Sequence, residues 1–384
     1  VDDNTQQGPG LKLESGQVID GFVLGDRLHQ GGMASLWSVT RVTPVEGDDM
    51  PLIMKVPRIK GGEDPATIVG FEVEQMLMPR LTGPHVPRYV ARGDFTQQPY
   101  IVMEHIPGET LKPRFEQAPL YIDEVVQIGI KVAQALHALH NQHVVHLDIK
   151  PSNIMIRPTG EAVLVDFGLS RHDQLPDLLE EEFTLPMGTG PYMSPEQVQF
   201  IRSDPRSDLF ALGVLMYHLA TGERPFGQPN SVAGLRKRLY TEPVPPRVLC
   251  PTLPRWFQEV VLRCLEVQPD KRYQSAAQLA LDLQNPDQVV LTERADKRKT
   301  AGGLSTLSRW FKAMGAEPTH EGGASGQLNR SPIIMVAVGI KSSTPELDHK
   351  LRATVQRILQ IEPGARLACV SVMKTNRVGM DKLT

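Results

Sequence analysis

The sequence predicts an α+β chain: a small β-rich lobe, a larger helical lobe, and then the start of an α/β parallel-sheet unit. Three observations predict it. Short alternating runs broken by Gly and acidic turns fill Val18 to about Lys55. Amphipathic helical stripes dominate from Asp123 to about residue 285, and two continuous apolar runs flank a helical pattern after Pro332.

Residues 1–16, rich in Gln, Gly and Asp, read as a disordered tail. The runs "FVLGDRL", "SLWSVTRV" and "PLIMKV" read as a small antiparallel sheet. "TIVGFEVEQMLMPRL" brings Ile68, Phe71, Met76 and Leu77 near helical spacing, and "YIVMEHI" is a further strand. In "DEVVQIGIKVAQALHALH" Val125, Ile128, Val132, Leu136 and Leu139 share one stripe, with Asp123 as the cap. Helices follow at "SDLFALGVLMYHLATG", "RWFQEVVLRCLEV" and "SAAQLALDLQ", the last stopped by Asn285 and Pro286. Residues 17–285 thus make one two-lobed domain.

Residues 286–330, with "ERADKRK" and "EGGASGQ", read as a linker. Inside it "LSTLSRWFKAMG" sets Leu304, Leu307, Phe311 and Met314 on one helical face. That fits a short helix docked on the chain's own domain, or a partner- or membrane-docking helix carrying Arg309 and Lys312. From 331 to 384, "IIMVAVGI", "PELDHKLRATVQRILQIEPG" and "RLACVSVM" make a β-α-β unit, and the sequence stops before such a domain would close.

With 40% hydrophobic and 22% charged residues, the chain can bury an ordinary globular core. A net charge of -3 argues against a nucleic-acid surface or a broad membrane patch. Cys250, Cys264 and Cys369 form no C-x-x-C pair, which fits a reducing compartment. "VDDNTQQGPG" is no secretory leader, and no apolar run is long enough for a bilayer span. The expectation is a cytoplasmic chain with neither a nucleic-acid partner nor a membrane span.

Chemistry concentrates in "HLDIKPSN". Phosphoryl transfer to a hydroxyl needs a proton acceptor, a cation beside the moving phosphate and an oxygen ligand for Mg²⁺. Asp148, Lys150 and Asn153 supply these within one loop. The following run "EAVLVDFGLS" leads into Asp166-Phe167-Gly168, where Asp166 adds a second hard oxygen and Gly168 permits a sharp turn. Four histidines, His137, His140, His143 and His146, recur every third residue without a Cys or acidic ligand to complete a zinc set. His143 falls where the helix should end, in a left-handed cap.

In these motifs the region from about 18 to 285 resembles the catalytic core of eukaryotic-type (Hanks-type) Ser/Thr protein kinases, and its "SPEQ" ending resembles bacterial members. The resemblance implies a bilobal kinase fold that binds ATP and Mg²⁺ and phosphorylates protein Ser/Thr in bacterial signalling or stress response. It implies that Lys55 holds the α and β phosphates, paired with Glu74 (Glu72 being the less suited by spacing). Leu28, Gly31, Gly32 and Leu36 would lie against the nucleotide, with Met103 before the hinge and Glu104 to Ile106 at the adenine edge. Asn153 and Asp166 would hold the metal. In the activation segment, which begins at Phe167 and Gly168, Thr184 would stand at the phosphosite position. Thr189 would contact the catalytic loop, and Glu196 would pair with Arg272. Asp208 would brace the catalytic loop from below.

Two departures stand out. In "LHQGGMASLW", His29 and Ala34 replace the outer glycines of G-x-G-x-x-G, while Gly31 keeps the middle one. Leu147 replaces the Arg that, in the family's commonest form, pairs with a phosphorylated activation segment. Thr184 follows Glu180, Glu181 and Glu182, so a phosphate there meets like charge. Activity independent of phosphate docking is the expectation, with a pseudokinase as the alternative. Residues 331–384 resemble the start of a universal stress protein domain. Gly339 stands where nucleotide-binding members place Asp, so a regulatory or self-associating module is implied rather than a second nucleotide site.

Overall fold

The computed structural model describes residues 13–31, 33–45, 47, 49–58, 65–95, 98–182, 186–299, 333–339, 349–355 and 366–372. They belong to two compact units, Val1–Thr319 and His320–Thr384.

In the first unit, strands β1 (Val18–Ile19), β2 (Phe22–Gln30), β3 (Ala34–Arg41) and β4 (Leu52–Pro57), helix α1 (Pro65–Leu77), and strands β5 (Tyr89–Gly93) and β6 (Tyr100–Glu104) build the small lobe. The strands form one antiparallel sheet in the order β1-β2-β3-β4-β6-β5. Strand alternation sorts the side chains. Leu52, Met54 and Val56 join Phe22, Leu24, Trp37, Tyr100 and Val102 in one apolar cluster. Ile53, Ile101 and Met103 take the other face and pack with Phe71 and Leu77 of α1. Lys55, between Met54 and Val56, is therefore turned toward α1 and away from the apolar cluster.

The helical lobe comprises α2 (Lys112–Glu116), α3 (Ile122–His140), β7 (Val144–Val145), β8 (Ile154–Ile156), β9 (Ala162–Leu164), β10 (Arg171–His172), α4 (Leu178–Glu182), α5 (Pro195–Val198), α6 (Arg206–Thr221), α7 (Val232–Arg236), α8 (Pro246–Leu249), α9 (Arg255–Cys264), α10 (Ala276–Gln284) and α11 (Glu293–Asp296). The stripe Val125, Ile128, Val132, Leu136 and Leu139 is buried, and α3 packs on α6 and α10. Asp123 is not its cap. Tyr121 holds the N-cap position without a side-chain bond, and Asp123 sits in the first turn, where its charge complements the helix dipole. Helix α6 is buried on nearly every side, so it has no polar stripe and forms the central post of the lobe.

The chain beyond α10 stays on this lobe. Glu259 of α9, 2% exposed, accepts bonds from Thr292 N at 2.9 Å, Ala295 N at 3.1 Å and Arg294 Nη1 at 3.1 Å. Lys297 Nζ reaches Glu242 Oε2 at 2.5 Å. The charges of "ERADKRK" that suggested a solvated linker from 286 are thus partly spent on pairing, and the packed chain runs to at least Lys297. The expected helix at 304–315 lies outside the described residues, as do residues 1–12 of the expected tail.

In the second unit β11 (Ile333–Gly339) and β12 (Arg366–Val372) pair in parallel, from Ile333 opposite Arg366 to Gly339 opposite Val372. Residues 349–355, between them in sequence, are helical. Among the described residues no helix is long and apolar enough to cross a membrane.

One buried ion pair ties the helical lobe together beneath the site. Arg272, 1% exposed, sends Nη1 to Glu196 Oε1 at 2.6 Å and Nη2 to Glu196 Oε2 at 2.7 Å. Its remaining donors reach the carbonyls of Glu266, Val267 and Arg206 at 2.7, 3.1 and 3.0 Å. All five guanidinium N–H groups are satisfied, which a lysine could not reproduce. Arg272→Ala strands the Glu196 carboxylate and should cost about 3–5 kcal/mol of unfolding free energy in urea titrations, whereas a loss below about 1 kcal/mol would show the pair to be incidental.

Candidate functional site

The loop between β7 and β8 is set from below by Asp208 of α6. Its carboxylate, 1% exposed, accepts the backbone N–H of His146 at 2.9 Å and of Leu147 at 2.8 Å, and His140 Nε2 lies 2.9 Å away. Leu147 adopts φ +63, a left-handed backbone that costs a non-glycine residue about 1–3 kcal/mol unless its surroundings fix it. Asp208 fixes its N–H, and Gln197 Nε2 fixes its carbonyl at 2.8 Å. The side chain is 3% exposed, a place where an unpaired polar group would be costly. His143, also expected in a left-handed cap, has φ +62.

Past that turn, the Asp148 carboxylate is held by Thr189, Lys150 and Asn153. Oδ1 accepts from Thr189 Oγ1 at 2.7 Å and Thr189 N at 3.1 Å. Oδ2 accepts from Lys150 Nζ at 2.6 Å and Asn153 Nδ2 at 3.1 Å. Lys150 also bonds Thr189 Oγ1 at 3.0 Å. Asn153 gives Nδ2 to the Asp148 carbonyl as well, at 3.0 Å, so its amide nitrogen is committed; Oδ1, which accepts from Ser152 Oγ at 3.2 Å, is its one oxygen donor for a cation.

Across the cleft, Lys55 Nζ lies 2.5 Å from Glu74 Oε2 and 3.0 Å from Asp166 Oδ1. Burial works against the Lys55 charge, but Asp166 and Glu74 outweigh it and raise its pKa, so the ammonium stays charged. Burial raises the Glu74 carboxyl against the pull of Lys55. Lys55 lowers Asp166, which stays ionised. Of the two candidate glutamates it is Glu74 that the α1 face presents to Lys55.

The sharp turn expected at Gly168 falls instead at Asp166, with φ +67. Gly168 serves a different need. A Cβ on Gly70 of α1 would stand 3.1 Å from the Gly168 carbonyl oxygen, and one on Gly168 would stand 3.2 Å from that of Gly70. Two facing glycines let α1 close on the chain after Asp166, and Phe167, fully buried, packs beside His146. Gly70 escaped the sequence reading, although a glycine inside a helical pattern hints at close packing.

With this geometry the sequence matches the protein kinase domain family over residues 54–282. The chain belongs to that family. It is 31% identical over 215 residues to a probable serine/threonine-protein kinase of Clostridium perfringens, covering 56% of this chain and 31% of that protein. It is 32% identical over 272 residues to the serine/threonine-protein kinase PknB of Mycobacterium leprae, covering 69% of this chain and 43% of that protein. The chain therefore spans less than half the length of these curated relatives. The crystal structure of the Mycobacterium tuberculosis PknI kinase domain is similar in fold, with a TM-score of 0.54 at 24% identity, over 72% of this chain and 100% of that one.

The residues expected to meet nucleotide lie on the β2–β3 hairpin and the chain after β6. Gly31 N bonds the Ala34 carbonyl at 3.0 Å, and Arg58 Nη1 bonds the Gly31 carbonyl at 3.0 Å. Leu28 is 47% exposed, Leu36 half-buried, and Gly32 lies outside the described residues. Met103 and Ile106 are buried, and Glu104 between them is gripped by a residue the sequence did not reveal. Arg157, just after β8, bonds both Glu104 oxygens, one through Nη2 at 2.9 Å, and its Nε reaches the Pro84 carbonyl at 3.0 Å. A partner 53 residues away carries no local pattern. Thr184 lies outside the described residues. Asn153 Oδ1 and the ionised Asp166 carboxylate are hard oxygen donors and fit a divalent cation.

The Arg157 hydrogen bonds hold the Glu104 carboxyl below its usual value, against burial. The folded state thus binds this proton less readily than the unfolded chain. The pair's contribution is complete above the ordinary glutamate value of about 4.3 and is lost as pH falls through the lower folded value. Arg157→Met should therefore lower the melting temperature at about pH 6 and make progressively less difference toward about pH 3.5; a gap constant with pH would contradict the assignment.

Proposed function

We propose that this kinase domain transfers the γ-phosphoryl group of ATP to serine and threonine hydroxyls of protein substrates. The observation that carries the reading is the Asp148 carboxylate, 6% exposed and fixed between Lys150 Nζ at 2.6 Å and Thr189 Oγ1 at 2.7 Å. A substrate hydroxyl entering this cluster would bond to Asp148 and give up its proton there as its oxygen bonds the γ-phosphorus and the bond from that phosphorus to the β–γ bridging oxygen breaks, releasing ADP. Lys150 would offset charge on the moving phosphoryl group. Lys55, oriented by Glu74, would hold the α and β phosphates. Asn153 and Asp166 would hold Mg²⁺, whose chemistry is to neutralise charge on the phosphate oxygens.

The relatives' names as serine/threonine-protein kinases support the class of acceptor. Bacterial cytoplasmic signalling or stress response is the setting we favour, given the bacterial relatives. For the C-terminal unit the resemblance of residues 331–384 favours a regulatory, self-associating module of universal stress protein type, and the parallel pairing of β11 and β12 supports its α/β class alone.

The direct check is incubation of the full chain with γ-labelled ATP, Mg²⁺ and a generic protein substrate, beside Asp148→Asn. Incorporation should fall by at least about 100-fold in the variant. Wild-type incorporation no higher than that of the variant would point to a protein that binds nucleotide or a partner without transfer.

A further inference from the structure

With Leu147 in place of the family's usual Arg, the loop lacks that guanidinium for a phosphate on the activation segment, yet the start of that segment is tied down by an ion pair of its own. Asp177 lies between Gly168 and α5 and is 4% exposed. Its Oδ2 accepts from Arg202 Nε at 2.7 Å, and Arg171 Nε stands 3.8 Å from the same oxygen. Its Oδ1 accepts the N–H groups of Leu179 and Glu180, at 3.3 Å each, where α4 begins.

Arg202, 8% exposed and just beyond α5, also sends Nη2 to the carbonyl of Leu169 at 2.9 Å. One guanidinium therefore joins the residue after Gly168 to the start of α4. Helix α4 packs against α1, with Leu179 1% exposed in the same apolar cluster as Phe71 and Leu77. On α1 sit Glu74, which orients Lys55, and Gly70, which closes on Gly168. The ion pair is thus linked to both cleft groups that Lys55 bridges, to Glu74 through the packing of α4 on α1 and to Asp166 along the chain from Leu169.

We infer that Asp177 and Arg202 are positioning residues for phosphoryl transfer: a carboxylate of the chain itself latches the activation segment in the place of a phosphorylated residue. The inference rests on the kinase reading above. A carboxylate needs no upstream kinase to carry charge, so residues 169–180 are held as synthesised and dephosphorylation does not release them. A buried pair also punishes the loss of one member: Arg202 without Asp177 keeps an uncompensated charge, and Asp177 without Arg202 keeps only the longer pair with Arg171 at 3.8 Å. Neutralising Asp177 should therefore free Arg202 from Leu169 and α4 from α1, and let Glu74 drift from Lys55.

The test uses the full chain, dephosphorylated with a phosphatase and checked by mass spectrometry. Wild type should keep kcat within about twofold of the untreated protein, while Asp177→Asn and Arg202→Gln each lose about tenfold or more in kcat with KM for ATP within about threefold. Amide exchange over residues 169–182 should quicken in both variants, and the double variant should be no worse than either single one. If a single variant fails to fold, the double variant, which removes both charges together, is compared with wild type and must show the same loss in kcat and the same faster exchange.

Unchanged kcat in Asp177→Asn, a fall in kcat without faster exchange, or loss of activity on dephosphorylating wild type would each overturn the latch. Absence of transfer in wild type, phosphorylated or not, would instead refute the kinase reading; exchange that stayed slow in the variants would then dispose of the latch as well.

Discussion

Asp208 places one buried carboxylate under two consecutive backbone N–H groups, those of His146 and Leu147. Those bonds stabilise a left-handed residue that few side chains adopt, and that residue turns the chain so that Asp148 meets Thr189, Lys150 and Asn153. Burial of α6 on nearly every side makes Asp208 immobile, and His140 on α3 holds it from a second helix. The catalytic loop is therefore an extension of the helical core. Its geometry is decided by packing far from any substrate, which is the condition for preorganised charge.

The same logic runs through the small lobe. Alternation along β4 turns Lys55 away from the apolar cluster, and the buried face of α1 presents Glu74 between Phe71 and Leu77. A charged pair then forms because both partners are already aimed at the same point. Lys55 has Asp166 as a second carboxylate neighbour, so its ammonium is held between two acidic groups. Phosphates entering would compete for a cation that is fixed in place, which limits the reorganisation that binding has to drive.

Much of this was legible in the sequence because it is local. Asp148, Lys150, Asn153 and Asp166 lie in short motifs flanked by apolar runs, and Lys55 lies within an alternating strand. What the sequence hid depends on partners far apart in the chain. Arg157 on Glu104, Arg202 on Asp177 and the packing of α11 on Glu259 join residues with no common period. Charged stretches misled for the same reason: "ERADKRK" resembles a solvated linker until Glu259 and Glu242 are brought beside it. Leu147 was the opposite case. As a departure from the family's usual Arg it pointed to lost phosphate docking, and its burial against the turn explains why an apolar side chain suits the position.

The measurement that bears most directly on this account is steady-state kinetics of Asp208→Asn beside nucleotide affinity. An amide in place of the carboxylate keeps the shape but loses one acceptor and the charge that holds the turn. If the catalytic loop is set from below, kcat should fall by about 100-fold while ATP affinity changes by less than about threefold. Wild-type kcat in this variant, with the protein folded, would contradict it.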